Sequence, residues 1–230
     1  MPHPTDVVTR RALMLSGVTA AAATLVACTS RTLVGNVERV PAVPAVVRRE
    51  PVPAPAAKAP PPVAPALLGA ALAALDRNGR MIRYRDRIGI VDFAAPSSQP
   101  RFHVVDVASG EVTKFLVAHG AGSDPAHTGF LHRFSNQEGS NASSEGAFVL
   151  ADYYVGKHGR SQRLLGLDPT NSNALERAIV VHGAWYANPD MLPSHGKLGR
   201  SQGCFAVGEQ DLSEVFGRLG QGRMIYSARV

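Results

Sequence analysis

The chain has 230 residues, 45% of them apolar, and a formal net charge of +6. Residues 1–66 hold seven of the 24 Lys and Arg side chains and three of the 18 Asp and Glu side chains, so residues 67–230 carry only about +2. The basic residues are not clustered with interleaved aromatic side chains, which excludes nucleic acid as a partner.

The first 28 residues have the features of an export signal. Arg10 and Arg11 precede an uncharged apolar run of 15 residues, 13–27. This run is too short for a membrane-spanning helix, which needs about 20 residues. The paired arginines are similar to those of twin-arginine signals, so residues 1–28 are predicted to direct the protein out of the cytoplasm.

The end of this signal resembles a bacterial lipobox. The residues Leu25-Val26-Ala27 precede Cys28, which would become the lipidated first residue of the mature protein. Because Thr29 follows rather than Asp, the resemblance predicts a periplasmic lipoprotein of the outer membrane, with no other membrane contact. An ordinary signal peptide with small residues near its cleavage site is the alternative. Either way, Cys204 has no intramolecular disulfide partner.

Residues 29–66 are predicted to form a disordered linker rich in Pro and Ala. Nine of the 17 prolines lie between Pro41 and Pro65, and no periodic apolar face is present among them. Such a segment favours extended polyproline II structure, which could hold a domain away from a membrane. A tether without a selected length fits the composition equally well.

Residues 67–230 are predicted to form one domain with its own core. A first helix is expected because apolar residues recur at helical spacing before Asn78 and Gly79: Leu68, Ala71, Leu72 and Leu75. A helix near the end of the chain has four apolar residues on one face before Gly220: Leu212, Val215, Phe216 and Leu219.

Short β-prone runs occupy much of the remaining domain. They are residues 87–93, 101–107, 112–118, 147–155, 178–182 and 224–230, of which the second and third are expected to form a hairpin. Turns rather than regular helices separate most of these runs. The sequence therefore predicts a mainly β fold with a few helices (α+β), built on an antiparallel sheet.

Two segments, 119–124 and 134–146, are unusually polar and glycine-rich for their length. Compact domains seldom carry such long connections without a use, so we expect binding loops. Solvated connections are the alternative.

A histidine and a cysteine are the main candidates for chemistry. The apolar run 178–181 ends on His182, and Cys204 lies between Gly203 and a short apolar run. A thiol and an imidazole at the ends of two strands could meet as a nucleophile and its base. Alternatively, a lone cysteine is often an inert part of a core.

The sequence resembles the murein L,D-transpeptidase catalytic domain family, the YkuD-like cysteine enzymes of bacterial cell walls. The most specific feature is a His-Gly strand end followed by the Ser-x-Gly-Cys turn of residues 201–204. Further similarity covers the segments 91–93, 118–123, 134–136, 156–159, 166–167 and 177–183. The resemblance implies an antiparallel, β-rich domain that acts on the peptide stems of peptidoglycan.

The resemblance also implies roles for particular residues. Cys204 would be the nucleophile and His182 the general base, in a reaction that cleaves D-Ala from a tetrapeptide stem and transfers the acyl group to an amine of another stem. The imidazole is expected to lower the pKa of the thiol. Backbone N–H groups of Gly203 and Cys204 could stabilise the oxyanion.

The same resemblance yields several less specific expectations. Residues near the pair that could bind substrate are Arg200, Ser201, Gly183 and Trp185; turn formation or core packing is the alternative for these side chains. His195 could line the site, or it could be a solvated loop residue. We predict no metal site, because the sequence has no close ligand pair of the usual kind. We also predict no cofactor and no protein partner.

The chain differs from the commoner family motif. Gln202 replaces a histidine, Ala206 replaces an Arg or Asn, and the separation of 22 residues between His182 and Cys204 is longer than usual. These features match a variant branch with Ser-x-Gly-Cys. Hydrolysis of the same acyl-enzyme, as in an L,D-carboxypeptidase, and a non-catalytic tether to the cell wall are the alternatives to transfer.

Overall fold

The computed structural model describes residues 62–230. The predicted export signal, Cys28 and most of the predicted linker lie outside the described residues. The helices and strands in chain order are α1 (Pro65–Arg77), β1 (Arg87–Asp92), β2 (Phe102–Asp106), β3 (Val112–Phe115), β4 (Val117–Ala118), β5 (Gly146–Gly156), β6 (Gly159–Gly166), β7 (Val180–Gly183), α2 (Met191–His195), β8 (Phe205–Val207), α3 (Leu212–Leu219) and β9 (Met224–Ala228). No helix among these residues is long and apolar enough to cross a membrane.

The strands of residues 62–230 form one sheet in the order β3-β2-β1-β9-β5-β6-β7-β8-β4. Neighbours are antiparallel except for the pairs β1/β9 and β7/β8, which are parallel. The predicted mainly β, antiparallel fold with a few helices is therefore confirmed. The parallel β7/β8 pair is the part of this topology that positions the site.

The predicted strand over 112–118 is two strands. Val112–Phe115 pairs with β2 at one end of the strand order, whereas Val117–Ala118 pairs with β8 at the other end. Only Leu116 separates β3 from β4, so the sheet must curve strongly enough to bring its two ends together. The hairpin with β2 is confirmed only for the first half of the run.

The curved sheet encloses one core and carries a second beneath α1. The inner core includes Phe93, Phe148 and Phe205, with Val215 and Leu219 from α3. The second cluster contains the buried face of α1, namely Leu67, Ala71, Ala74 and Leu75, against Ile88 and Ile90 of β1. Burial of each Leu or Ile side chain stabilises the fold by about 1.5–3 kcal/mol.

Two elements were not predicted from the sequence. Strand β6 has the polar residues Ser161 and Gln162 fully buried, because it lies between β5 and β7. Its sequence therefore lacks the apolar alternation on which strand prediction depends. The helix α2 is a single short turn that ends at His195, which is exposed.

The hairpin between β5 and β6 has a two-residue turn formed by Lys157 and His158. Gly156 pairs with Gly159, and Gly159 has a φ of 71°, a conformation that glycine adopts without strain. This turn projects both side chains towards the end of β7 that carries His182.

Candidate active site

Strands β7 and β8 bring His182 and Cys204 into one pocket. The strands run parallel, with Val181 opposite Phe205 and His182 opposite Ala206. Cys204 immediately precedes β8 and therefore lies beside Val180, the first residue of β7. Both candidate side chains line a pocket of about 330 Å³. The structure thus places the two candidate residues around the same pocket.

The pocket is lined by cationic and aromatic side chains and contains no carboxylate among the described residues that line it. The lining residues are Tyr154, Lys157, His158, Arg177, Ala178, Val180, His182, Tyr186, Arg200, Ser201, Gln202 and Cys204. A ligand with carboxylate groups fits such a surface better than a cationic ligand.

His182 is held as a neutral imidazole. Its side chain is 1% exposed, and Nδ1 lies 2.9 Å from the carbonyl oxygen of Gly183. Because a carbonyl only accepts, Nδ1 must carry the proton and Nε2 has a free lone pair. Burial lowers the pKa of His182 to about 4, outweighing the bond to Gly183, and the nearby His158 and Lys157 lower it further.

Cys204 is a half-buried, protonated thiol in this structure. Burial raises the pKa of Cys204, against opposing effects from the Val180 N–H, Lys157 and Arg177. The thiol donates to the carbonyl oxygen of Ala178 at 3.6 Å, and within the described residues it forms no hydrogen bond with His182. The expectation that the imidazole lowers the pKa of the thiol is therefore wrong, because burial dominates and raises it.

The turn that carries Cys204 is held by hydrogen bonds and close packing. The Ser201 hydroxyl donates to the Cys204 carbonyl at 2.8 Å and accepts from the Gly203 N–H at 3.1 Å. Gly203 has a φ of 112°, and a Cβ there would lie 2.7 Å from the Ala142 carbonyl oxygen. The chain thus needs glycine at this position. The Gly203 N–H is already paired and is not free for a substrate oxygen.

A buried polar cluster supports this turn from below. Arg101 Nη2 donates to Nδ1 of His119 at 2.7 Å, so Nε2 of His119 carries the proton and faces Asp124 at 3.3 Å. Burial and the Arg101 charge lower the pKa of His119 to about 4. The backbone carbonyl of His119 accepts from the Ser201 N–H at 2.9 Å, which links the cluster to the turn that carries Cys204.

The carboxylate of Asp124 is fully buried and charged. Burial opposes this charge, but N–H donors from Thr128 and Gly129, the Thr128 hydroxyl and His119 outweigh it and hold the pKa of Asp124 at about 2. The predicted binding loop 119–124 is therefore mainly a packed support of the site.

Arg177 was missed as a site residue and ties the other long loop to the pocket. Its guanidinium donates to the Ser135 carbonyl at 2.7 Å, to the Ser144 hydroxyl and to the Ala142 carbonyl. Both ends of the segment 134–146 are thereby held beside Cys204. These bonds also fix the Ala142 carbonyl against which Gly203 packs.

The hairpin tip supplies further residues that sequence reasoning missed. The His158 ring stacks on the His182 ring with 4.2 Å between centroids and 19° between planes. Lys157 lines the same pocket. The segment 156–159 was part of the family resemblance, and its paired glycines indicate a tight turn, but no local pattern indicates where the turn points.

The four predicted substrate-binding residues are in different environments. Arg200 and Ser201 line the pocket, although Arg200 also donates to the carbonyl of Asp124 and, at 3.1 Å, to that of Pro125. Gly183 is outside the lining and serves as the acceptor for His182. Trp185 is 65% exposed and lies against Tyr186, with ring centroids 5.8 Å apart. Tyr186, not Trp185, lines the pocket.

A thiol and a neutral imidazole sharing one pocket of a β-rich domain are the groups that a cysteine enzyme requires. A model of the L,D-transpeptidase catalytic domain family matches residues 61–227, which is most of the chain. The chain therefore belongs to the L,D-transpeptidase catalytic domain family, as the resemblance predicted. A search of curated proteins finds no significant match.

Several solved structures are similar to this chain at low sequence identity. An L,D-transpeptidase from Mycobacterium smegmatis is 16% identical and covers 62% of this chain and 58% of its own, with a TM-score of 0.38. L,D-transpeptidase 3 from Mycobacterium tuberculosis, solved with a faropenem-derived adduct, is 15% identical and covers 63% and 60%, with a TM-score of 0.39. The helical cell shape determining protein Pgp2 from Campylobacter jejuni is 14% identical and covers 68% and 53%, with a TM-score of 0.41. The matched region is less than two thirds of each of these chains.

Proposed function

We propose that this protein is an exported cysteine acyltransferase that cross-links peptidoglycan stems through a thioester on Cys204. The observation that carries the proposal is the parallel β7/β8 pair, which brings a neutral His182 and the Cys204 thiol into one pocket in a chain of the L,D-transpeptidase family. The donor would be a tetrapeptide stem with a diamino acid at its third position.

The first half of the reaction follows from the protonation states of the pair. Nε2 of His182 accepts the thiol proton as sulfur attacks the carbonyl carbon of the diamino acid, forming the S–C bond. The C–N bond to D-Ala then breaks, and the imidazolium returns the proton to the leaving amine. This reaction starts from a neutral imidazole and a neutral thiol. The lowered pKa of His182 and the raised pKa of Cys204 agree with that starting state.

The second half of the reaction regenerates the thiol. A side-chain amine of another stem attacks the thioester, His182 accepts a proton from it, and the thiolate leaves and regains a proton. The product is a 3→3 cross-link. If water replaces the amine, the product is a trimmed stem, which is the hydrolase alternative.

The oxyanion of either tetrahedral intermediate needs N–H donors. The Gly203 N–H already donates to the Ser201 hydroxyl, so we assign the Cys204 N–H as the oxyanion donor. The cationic lining supports binding of the free carboxylates of a stem, and Lys157 at the hairpin tip has no carboxylate partner among the described residues that line the pocket.

The placement of the enzyme in the cell is also a proposal. Arg10 and Arg11 ahead of an apolar run, followed by the lipobox-like Leu25–Cys28, support export and lipid anchoring in the periplasm. The proline-rich segment after Cys28 would let an anchored domain extend into the cell wall.

The test uses the full mature chain and two assays. Mass spectrometry after incubation with a carbapenem should show one adduct on Cys204, absent in Cys204→Ala and strongly slowed in His182→Ala. Incubation with muropeptides should yield cross-linked dimers; trimmed monomers alone would show a hydrolase. If Cys204→Ala still supports binding to sacculi and the wild type neither forms adducts nor changes muropeptides, the protein is a tether and the proposal is wrong.

A further inference from the structure

The candidate base is buried by a residue that is itself exposed. His182 is 1% exposed, whereas His158 at the turn of the β5/β6 hairpin is exposed to solvent. The two rings stack with 4.2 Å between centroids and 19° between planes. In the plane of the sheet, the neighbours of His182 are Ser161 and Ala206, which have no titratable side chains. The His158 ring therefore covers one face of the His182 ring.

We propose that His158 is a positioning residue that covers the His182 ring and holds it in its base-competent orientation, with Nδ1 on the Gly183 carbonyl and Nε2 free for the Cys204 proton. This inference rests on the proposed function, since it concerns the base of that reaction. The stacked geometry matters because an imidazole exposed to water could rotate away from Gly183 and expose either nitrogen.

The cover has a second physical effect, on the charge of His182. Water stabilises an imidazolium, so removing water from one face disfavours protonation. Burial is the main reason why the pKa of His182 is about 4 rather than 6.5, and the charges of Lys157 and of a protonated His158 lower it further. His158 thus keeps the base neutral in mildly acidic surroundings.

The other titratable groups of the pocket do not oppose this effect. They are Lys157 on the hairpin, Tyr154 on β5, Arg177 before β7, Tyr186 after β7, Arg200 and Cys204. None is a carboxylate that would favour an imidazolium. The pKa of His158 is itself lowered by its partial burial and by Lys157.

Two substitutions distinguish an effect of the His158 ring covering His182 from an effect of the charge on His158. His158→Ala removes the ring and exposes His182, whereas His158→Phe keeps a stacked ring that cannot gain a proton. His195→Ala is the matched control, because His195 is exposed and lies outside the pocket lining. The direct measurement is the NMR titration of the His182 ring in the full mature chain. The second measurement is the rate of Cys204 acylation by a carbapenem from about pH 5 to 8.

The expected result is that the acid limb of the profile, where the acylation rate falls with falling pH, moves to higher pH. In His158→Ala the pKa of His182 should rise towards its ordinary value of 6.5. A base with a pKa of 6.5 is about one tenth neutral near pH 5.5, so acylation there should fall by up to about tenfold relative to the wild type, with little change at pH 8. His158→Phe should stay near the native profile, and His195→Ala should match it.

The opposite result would overturn the inference. If His158→Ala leaves both the His182 titration and the acid limb unchanged while acylation still requires His182, His158 does not cover the base. Failure of the proposed function is distinguishable, because it would appear as a wild-type Cys204 that is never acylated. The NMR titration of His182 would decide the covering role even in that case.

Discussion

Gly203→Ala should distort the turn that carries Cys204 while leaving most of the fold intact. Gly203 has a φ of 112°, which residues with a Cβ rarely adopt, and a strained backbone of this kind costs on the order of 1–3 kcal/mol. The new Cβ would also lie 2.7 Å from the Ala142 carbonyl oxygen and 2.8 Å from Cδ1 of Ile179. Arg177 holds that carbonyl in place, so the turn rather than the loop must move.

Movement of this turn changes the position of Cys204 next to it. A displacement of about 1 Å at a reacting atom can reduce the rate on the order of 100-fold. We therefore expect Gly203→Ala to lower the free energy of unfolding by roughly 2–4 kcal/mol, combining strain and overpacking. Acylation of Cys204 should slow by about two orders of magnitude.

The matched control is Gly139→Ala. Gly139 also has a positive φ, 70°, but a Cβ there meets nothing within 4 Å. This variant should lose about 1–2 kcal/mol of stability from backbone strain alone and keep its acylation rate. Urea unfolding and the rate of carbapenem acylation measure the two effects. A Gly203→Ala protein that is acylated at the native rate would refute the argument that this glycine positions the sulfur.

Three further predictions concern the support, the charge and the acid sensitivity of the site. Ser201→Ala removes the hydroxyl that joins the Cys204 carbonyl to the Gly203 N–H, so urea unfolding should show a loss of roughly 1–3 kcal/mol in stability and carbapenem acylation should slow. Unchanged acylation would mean that the turn keeps its conformation without this hydroxyl. Lys157→Glu should raise KM for stems with free carboxylates more than for amidated stems, and equal effects on both would remove Lys157 from donor binding. His119 is buried and neutral with a pKa of about 4, so the neutral ring contributes up to about 3 kcal/mol to the free energy of unfolding. This contribution is complete above pH 6.5 and is lost as the pH falls towards 4. Urea unfolding at several pH values should therefore show a steeper loss of stability with falling pH for the wild type than for His119→Gln.

Much of the fold could be predicted because local patterns specify it. Helices α1 and α3 show apolar residues at helical spacing, and β1 has a continuous apolar run that is explained by burial on both faces. Strand β6 could not be predicted in this way, because Ser161 and Gln162 are buried by neighbouring strands rather than by an apolar pattern. The division of 112–118 into two strands depends on closure of the sheet, which joins residues far apart in sequence.

Part of the candidate site could likewise be predicted from local motifs, and part could not. The sequence by itself indicated His182 and Cys204 as the candidate pair, because a His-Gly strand end and a Ser-x-Gly-Cys turn are local motifs. Only the tertiary structure decided that His158 stacks on His182, that Arg177 anchors a loop beside Cys204, and that burial raises the pKa of the thiol. The physical reason is that burial and ring contacts are set by strands paired across the sheet, whereas the chemistry of a side chain is set by its own residue type.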